Sequence, residues 1–375
     1  MHRLVPLAIV LLAIPISTRG DEKDALSSEK TFLAGAVTSN VTPQLGLPVI
    51  GGFQPFPATH VHDELFARCI VLDDGSQRIA IVIVDILGIP REVTDLARVR
   101  IQQATGIKPS HVLIAATHTH SAVTPRGPRG AFWPDEISAH SKFVASRIAD
   151  GVQRAVNQLE PAQIGWGRTT LPGEVFNRRW FCNDAGLTAN PFGGVDQVRM
   201  NPPRNHPSLD RPAGPTDPEI RFLSVQSKEG RPIALLANYS LHYVGGVSRG
   251  HISADYYGYF ARYIEEKIGA QQLDPPFVAT MSNGTSGDIN NINFRPTPGG
   301  KRYGPYEKMQ EVANKAASKV AEAYQDVEYK QWVPVGAMQN DMVLKLRQPS
   351  EAILKHLRQA VKLPADKFQS HRQEK

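Results

Sequence analysis

Two histidines lie two residues apart, directly after an apolar stretch of the chain. His118 and His120 follow Val112–Ala116, whose apolar residues predict a strand. Active sites of α/β folds lie at the carboxyl ends of strands, and in an extended segment these two side chains point to one face. One ring could therefore bind a metal while the other hydrogen-bonds a substrate or water. Alternatively, both rings satisfy backbone groups or lie at the surface.

His242 is a second candidate ligand, because it also follows a predicted strand, Pro232–Tyr239. Zinc takes three or four nitrogen, oxygen or sulfur ligands, and a neutral imidazole is a common one. His118 and His242 together would therefore supply half of a zinc site. Alone, His242 does not distinguish a ligand from an ordinary buried histidine.

A run of small polar residues, 282–291, follows the predicted strand Phe277–Met281. Small residues allow a ligand to approach the backbone, whereas Asn and Asp in such a run also form tight turns by capping their own backbone. The sequence Gly284-Thr285-Ser286-Gly287 has its second glycine one position too early for a G-x-S-x-G nucleophile elbow. A serine hydrolase is therefore disfavoured.

Arg178 is a charged group that could bind a substrate oxygen. It lies beside Arg179 in an otherwise uncharged neighbourhood, and its guanidinium keeps its charge and offers several donors in fixed positions. It could hold a carbonyl or stabilise an oxyanion, or it could form a surface ion pair. Asp85, at the end of a strand, and Asp255, at the start of a helix, could support metal ligands, although Asp255 is equally explained as a helix N-cap.

The elements that must position these residues alternate between strands and helices, which predicts an α/β fold with a mixed sheet layered with helices. The predicted strands are Arg78–Asp85, Ser110–Thr117, Ile220–Gln226, Pro232–Tyr239 and Phe277–Met281. The predicted helices are Glu92–Thr105, Pro134–Leu159, Asp255–Ile268, Tyr306–Tyr324 and Ser350–Val361. Proline and glycine content predicts a long loop over Gly186–Pro218, and the pattern of Tyr329–Leu346 predicts a strand pair.

The composition is that of an ordinary globular protein, since 41% of the 375 residues are hydrophobic and 21% are charged. The net charge is +6, and residues 301–375 supply +5 of it, with 14 Lys or Arg against 9 Asp or Glu. Because no basic run is interleaved with aromatic residues, nucleic acid is not an expected partner. The two cysteines, Cys69 and Cys182, could pair in an oxidising compartment or remain buried thiols.

Residues 1–20 have the pattern of a secretory signal peptide. A short basic lead, Met1–Arg3, precedes the uncharged stretch Leu4–Ile16, and Ser17–Gly20 supplies small residues. The uncharged stretch is too short to span the ~30 Å hydrocarbon core of a membrane. The sequence therefore predicts an exported protein, periplasmic or extracellular.

Several short segments occur in the order seen in one family. They are Thr117–Ser121, Asn177–Arg178, His242, Ser253–Tyr259 and Gly287–Asn290. Over about Phe32–Leu346, the chain resembles the neutral/alkaline (non-lysosomal) ceramidases. The resemblance implies an exported α/β catalytic domain that uses zinc to hydrolyse the amide of N-acylsphingosine, and a lipid substrate implies peripheral contact with a membrane surface.

The resemblance also implies roles for individual residues. His118 and His242 are expected to bind zinc. His120 is expected to pass a proton towards the leaving amine, and Arg178 to stabilise the oxyanion. The expected substrate-binding residues are Asp288 and Asn290.

The chain departs from the family pattern next to the expected site. Ala122 and Val123 stand where the family has Gly-Pro, and Asn290 stands where the family has a serine, so a serine mechanism is not carried over. Two alternatives to a ceramidase therefore remain. The chain could be a truncated or non-catalytic member of the family, or a zinc hydrolase that acts on a different ester or amide.

The family takes its remaining zinc ligands, a glutamate and a tyrosine, from a later segment that has no match before Lys375. We therefore expect residues 21–375 to form a single large catalytic-type domain that is incomplete at its C-terminal side. Asp85 or Asp288 could serve as a substitute ligand.

Overall fold

A mixed eight-stranded sheet forms the centre of the molecule. The structure is a computed structural model that describes residues 30–51, 55–123, 137–190, 192, 194–296, 299–346 and 348–362. The signal peptide predicted at residues 1–20 lies outside the described residues, as does the predicted start of a helix at Pro134. The described elements lie in one compact unit, Thr31–Lys375.

The described residues form strands, α-helices and two single 3₁₀ turns, Pro109–His111 and Pro172–Glu174. The strands are β1 (Leu33–Asn40), β2 (Pro48–Val49), β3 (Phe56–Pro57), β4 (His60–Val61), β5 (Phe66–Asp73), β6 (Arg78–Val84), β7 (Val112–Ala116), β8 (Glu160–Thr170), β9 (Phe176–Asn177), β10 (Arg179–Cys182), β11 (Val198–Met200), β12 (Leu209–Pro212), β13 (Glu219–Ser227), β14 (Pro232–Tyr239), β15 (His251–Ile252), β16 (Val278–Asn283) and β17 (Ile289–Asn290). The helices are α1 (Arg91–Thr105), α2 (Ala139–Asn157), α3 (Ala185–Thr188), α4 (Asp255–Lys267), α5 (Glu307–Tyr324) and α6 (Glu351–Ala360).

The strand order across the main sheet is β16-β14-β13-β8-β1-β5-β6-β7. β14 pairs with β16 and β6 with β7 in parallel, whereas the other neighbours are antiparallel. The sheet curls back on itself, because β16 at one edge also contacts β5, β6 and β7, the three strands at the opposite edge. The carboxyl ends of β7 and β16 therefore meet, and the Asn283 Nδ2 donates to the Thr117 carbonyl at 3.3 Å across that junction.

Helices cover both outer faces of the curled sheet, which confirms the predicted α/β class. α1 and α2 pack with β1, β5 and β6 around one apolar core. α4 and α5 pack with β8, β13 and β16 around a second core. A third core lies between the two halves of the sheet and includes Phe32, Ile70 and Val225. Because β5 is covered on both faces, Ala67–Asp73 is buried at every position.

The strands predicted next to the candidate residues are confirmed with small changes of boundary. Strands β1, β5 and β8, in contrast, are not predicted from the sequence. In β8 the apolar alternation is interrupted by Gly165 and Gly167. A Cβ on Gly165 would lie 2.3 Å from the Val327 Cγ1, and one on Gly167 would lie 2.5 Å from the Phe222 Cζ. Close packing across the strand therefore requires the residues that weaken its pattern.

The prediction of a continuous loop over Gly186–Pro218 is wrong. β11 and β12 lie within this segment and pair with β10 in a separate three-stranded sheet. The prolines and glycines lie mainly between these short strands, where no ladder hydrogen bond is required of them.

The prediction of a strand pair over Tyr329–Leu346 is also wrong. Lys330 forms a single bridge with Ile164, and the residues that follow have no strand partner in the described part of the chain. Trp332 and Val335 pack against the third core. The apolar pattern here reflects packing across the sheet rather than pairing.

Two further points bear on the sequence predictions. Both Cys69 and Cys182 are free thiols; Cys69 is buried, as one alternative predicts, whereas Cys182 is partly exposed. Among the described residues, no helix combines the length and the apolar composition needed to cross a membrane.

The contact between β1 and α2 makes a testable prediction about stability. A Cβ on Gly35 would lie 2.2 Å from the Ala155 carbonyl oxygen, so Gly35→Ala must push the helix away from the sheet. We expect the free energy of unfolding to fall by about 1–3 kcal/mol, measured by urea denaturation. Gly173→Ala is the matched control, because its Cβ would meet nothing within 4 Å. Equal losses in the two variants would contradict the close contact.

Candidate metal centre

The chain continues past the end of β7 and stays hydrogen-bonded to the end of β6 and the residues just after it. The Thr117 N–H donates to the Val84 carbonyl at 2.9 Å, and the His118 N–H donates to the Ile86 carbonyl at 3.0 Å. His118 has a φ of 71°, in the left-handed region that residues with a Cβ rarely adopt. The side chains of His118 and His120 do converge, but a left-handed turn brings them together rather than strand alternation.

His242 is buried three residues beyond the end of β14. The loop after β16 approaches it closely enough for the His242 Nδ1 to donate to the Ser286 carbonyl at 2.8 Å. A Cβ on Gly284 would lie 2.6 Å from the Ser240 Oγ, so this approach requires a glycine. The run of small residues at 282–291 therefore brings a backbone acceptor to His242.

The three histidines present their Nε2 atoms to one another. The Nε2 of His120 lies 3.2 Å from the Nε2 of His118 and 3.3 Å from the Nε2 of His242. Two ring nitrogens in a tetrahedral zinc site, each about 2.0–2.1 Å from the ion, lie about 3.3 Å apart. These two separations therefore match the spacing of zinc ligands, and all three nitrogens lie within 4.8 Å of one another.

The other ring nitrogen of each histidine fixes the tautomer. Each Nδ1 faces a backbone carbonyl, and a carbonyl oxygen can only accept, so Nδ1 must carry the hydrogen. The acceptors for His118, His120 and His242 are the carbonyls of Leu87, Gly51 and Ser286, respectively. In the neutral rings each Nε2 then carries a lone pair, and neither of the close Nε2 contacts is a hydrogen bond. A cation between the rings removes this repulsion.

Burial favours the neutral form of two of the rings, those of His120 and His242. The pKa of His120 is lowered to about 3, mainly by burial and in addition by the neighbouring His118 and His242. Burial also lowers the pKa of His242 to about 4, with further contributions from His118 and Arg178. Protons therefore do not compete for these nitrogens at neutral pH.

Arg178 lies beside the same loop as His242. Its backbone N–H donates to the Asp288 carbonyl at 2.7 Å, and its Nε and Nη2 donate to the Gly287 carbonyl at 3.1 and 2.6 Å. These contacts hold the guanidinium close enough for its charge to lower the pKa values of both His120 and His242. The candidate arginine and the histidines therefore belong to one site.

The predicted substrate-binding residues make contacts within the surrounding loops. The Asp288 Oδ2 accepts from the Asn177 Nδ2 at 3.0 Å, and the Asn290 Nδ2 donates to the Asn201 Oδ1 at 3.3 Å. Neither joins the histidine group, which is made of three histidines alone among the described residues.

Asp85 does not serve as a substitute ligand. It is completely buried and forms an ion pair with Arg68 at 2.5 Å. The third nitrogen donor near His118 and His242 is instead His120, for which the sequence predicts a catalytic role.

Tyr243 is part of the site but is not predicted by the sequence patterns. Its ring stacks on the His120 ring, with centroids 3.7 Å apart and planes inclined by 16°. The only signal in the sequence is its position next to His242.

The interpretation of Asp255 as a helix N-cap is wrong, since Ala254 occupies that position in α4 and Asp255 is the first helical residue.

The low pKa values of His120 and His242 make a prediction for the metal-free protein. Their ordinary pKa is 6.5, whereas the folded chain holds them at about 3 and 4. Between these limits the unfolded chain binds more protons, so the free energy of unfolding should fall as the pH is lowered from about 6.5 to about 4. The slope should reach about 1.4 kcal/mol per pH unit for each histidine.

Urea denaturation in the presence of a chelator, at a series of pH values, measures this slope. His120→Gln should flatten it, whereas His206→Gln, outside the histidine group, should not. A slope that is the same in wild type and His120→Gln would contradict the burial of a neutral ring at position 120.

The chain is similar to proteins of one known family. The family described as "Neutral/alkaline non-lysosomal ceramidase, N-terminal" matches residues 54–297, more than half of the chain. The neutral ceramidase of Pseudomonas aeruginosa is 22% identical over 311 residues, which cover 78% of this chain and 41% of that protein.

Two solved structures share the fold of this chain. The structure titled "Ceramidase complexed with C2" has a TM-score of 0.60 at 18% identity, over 79% of this chain and 44% of that chain. A crystal structure of the neutral ceramidase from Pseudomonas aeruginosa has a TM-score of 0.57 at 19% identity, over 79% of this chain and 45% of that chain. The chain thus spans less than half the length of these relatives. Because the family match extends over more than half of the sequence and includes all three histidines and Arg178, the chain belongs to the neutral/alkaline non-lysosomal ceramidase family and corresponds to its N-terminal region.

Proposed function

We propose that this chain acts as a ceramidase-like, zinc-dependent hydrolase that cleaves the amide bond of ceramide or a related N-acyl lipid. The observation that carries the proposal is the set of three Nε2 atoms that face one another while every Nδ1 is bonded to a carbonyl. Family membership supports the amide-hydrolysing reaction class. We also propose that the protein is exported, on the basis of the signal-like residues 1–20.

His118, His120 and His242 would hold the zinc ion. Three protein ligands are typical of a catalytic zinc site, and the described residues supply three nitrogens within 4.8 Å of one another, two pairs of them 3.2 and 3.3 Å apart. When bound, zinc polarises a carbonyl oxygen and lowers the pKa of water to about 7. The proposal for His118 and His242 is unchanged from the one that the family resemblance implies.

For His120, the geometry favours the role of a ligand over the proton transfer that the resemblance implies. Its Nδ1 is held by the Gly51 carbonyl, so only its Nε2 is available, and this atom faces the other two histidines. With a pKa of about 3, the ring accepts a proton poorly at neutral pH.

Arg178 would bind the substrate carbonyl oxygen as negative charge develops on it. Its guanidinium is held in place by the Gly287 carbonyl, and fixed donors stabilise an oxyanion better than mobile ones. Asp288 and Asn290, on the same loop, would contact the polar part of the substrate.

The first prediction is about metal content. Purified wild type should bind about one zinc per chain, as measured by atomic emission after dialysis. His118→Ala and His242→Ala should each weaken the zinc affinity by at least about 100-fold, which exceeds the usual loss for residues that only support a ligand. His206→Ala, a histidine outside the group, is the control. Wild type without zinc would overturn the proposal.

The second prediction separates Arg178 from the metal. Arg178→Ala should lower kcat for a short-chain N-acylsphingosine by about 10²–10³-fold while the zinc content is unchanged. Arg221→Ala is the control, because Arg221 is an exposed arginine that pairs with Glu219. If wild type binds zinc but hydrolyses only other esters or amides, the reaction class stands and the lipid substrate is wrong. An unchanged kcat in Arg178→Ala would contradict its role.

A further inference from the structure

We propose that Asp255 is a positioning residue that holds the backbone after His242 and so aims the His242 ring at the metal. The inference rests on the zinc site proposed above, and within that site it uses only His118 and His242. Asp255 is the first residue of α4, and its carboxylate bonds to backbone N–H groups rather than to either histidine.

The first argument is the set of partners of the Asp255 carboxylate, which is completely buried. Its Oδ2 accepts from the Gly245 N–H at 2.9 Å. Its Oδ1 accepts from the Val244 N–H at 2.9 Å and from the Tyr256 N–H at 2.7 Å. Both oxygens are therefore bonded to the chain just after His242.

The second argument is that this carboxylate has no cationic partner among the residues that the structure describes. The buried Asp63 and Asp85 differ in this respect, because each pairs with an arginine. The charge of Asp255 is stabilised instead by N–H groups and by its position in the first turn of α4. Asp255 also has a φ of 56°, in the left-handed region. A buried charge on strained backbone is costly, and such features concentrate at functional sites.

The third argument is that the chain after His242 has no regular structure of its own. Residues 243–246 belong to neither a helix nor a strand, and Gly245 and Gly246 have φ values of 77° and 79°. Two N–H groups of this segment are bonded to Asp255. This side chain, rather than a sheet or helix, therefore sets the path of the backbone that leaves His242.

The residues after Asp255 hold the chain on the other side of the same histidine. The carbonyl of Leu241, which directly precedes His242, accepts from the Tyr256 hydroxyl at 2.9 Å and from the Tyr257 hydroxyl at 3.3 Å. The start of α4 thus fixes the backbone on both sides of His242. Metal ligands are commonly oriented by such outer contacts.

The same segment also holds the chain around the other proposed zinc histidine. The Ser253 carbonyl accepts from the hydroxyl of Thr119, which directly follows His118, at 2.8 Å. The Ser253 N–H donates to the Ser121 carbonyl at 2.9 Å. The segment that begins α4 therefore bonds to the chain around both His118 and His242, and a shift of this segment changes the distance between them.

The experiment compares Asp255→Asn with Asp74→Asn. An asparagine at position 255 keeps one acceptor oxygen but turns an amide donor towards an N–H group of the segment after His242, so this segment must shift. Zinc affinity is measured by competition with a chromophoric chelator, and the visible spectrum of the cobalt-substituted protein reports the ligand geometry. We expect Asp255→Asn to weaken zinc binding about tenfold and to alter the cobalt spectrum.

Asp74 is a matched control because it is also a buried aspartate that accepts from backbone N–H groups. Its Oδ1 accepts from the N–H groups of Ser76 and Gln77, in the turn between β5 and β6. This turn lies at the opposite end of β6 from the histidines. Asp74→Asn should therefore leave the zinc affinity and the cobalt spectrum unchanged.

Tyr256→Phe tests the same idea if Asp255→Asn does not fold. It keeps the buried ring and removes the hydroxyl that donates to the Leu241 carbonyl. The zinc affinity should fall about two- to tenfold, the usual effect of one lost hydrogen bond. Tyr239→Phe is its control, because Tyr239 is equally buried and its hydroxyl donates to the Leu171 carbonyl instead.

The outcomes separate this inference from the function on which it rests. Wild type that binds no zinc would overturn the metal site and the role of Asp255 with it. Wild type that binds zinc, together with folded Asp255→Asn of equal affinity and unchanged cobalt spectrum, would overturn the role of Asp255 alone. Equal losses of affinity in Asp255→Asn and Asp74→Asn, or in Tyr256→Phe and Tyr239→Phe, would also overturn it, because they would reflect general destabilisation.

Discussion

The lone pairs of three imidazole nitrogens face one another in this chain, with Nε2 atoms 3.2 and 3.3 Å apart, and this repulsive contact constrains the rest of the site. The contact arises because the backbone fixes the hydrogen of every ring on the opposite nitrogen. Further costs accompany it, including the left-handed backbone of His118 and the burial of His242. A divalent cation bound by the three rings would offset these costs together.

The fold places these rings by bringing the ends of distant strands together. β7 and β14 lie far apart in the strand order, at positions that a flat sheet would separate. The curl of the sheet lets β16 contact β7, and the side chain of Asn283, the last residue of β16, donates to the Thr117 carbonyl. Each of the proposed ligands thus follows a strand whose position is set by a packed core, which suits a site that must hold its geometry before a metal binds.

The sequence predicts those parts of the fold and site that depend on local patterns. The strands that precede His118 and His242 are apolar and uninterrupted, and so they are predicted correctly. β8 is missed because Gly165 and Gly167, which its neighbours require, interrupt its alternation. The segment Tyr329–Leu346 is misread because packing on a sheet and pairing within one can produce the same apolar pattern.

The arrangement of the site depends on contacts between residues far apart in the chain, which local patterns do not contain. The sequence predicts that the side chains of His118 and His120 converge. It does not predict the cause, which is the left-handed backbone conformation of His118. The carbonyls that fix the tautomers come from positions 51, 87 and 286, and Tyr243 contributes through a stack that only the folded chain forms. The resemblance implies a proton-transfer role for His120, and the position of its Nε2, which only the folded chain shows, is the basis for proposing it as a ligand instead.

X-ray absorption at the zinc edge of the zinc-loaded wild-type protein tests the central claim most directly. The account predicts three imidazole nitrogens at about 2.0–2.1 Å from the ion, and two in His120→Ala. A wild-type spectrum with two imidazoles or fewer, unchanged by His120→Ala, would contradict the three-histidine site.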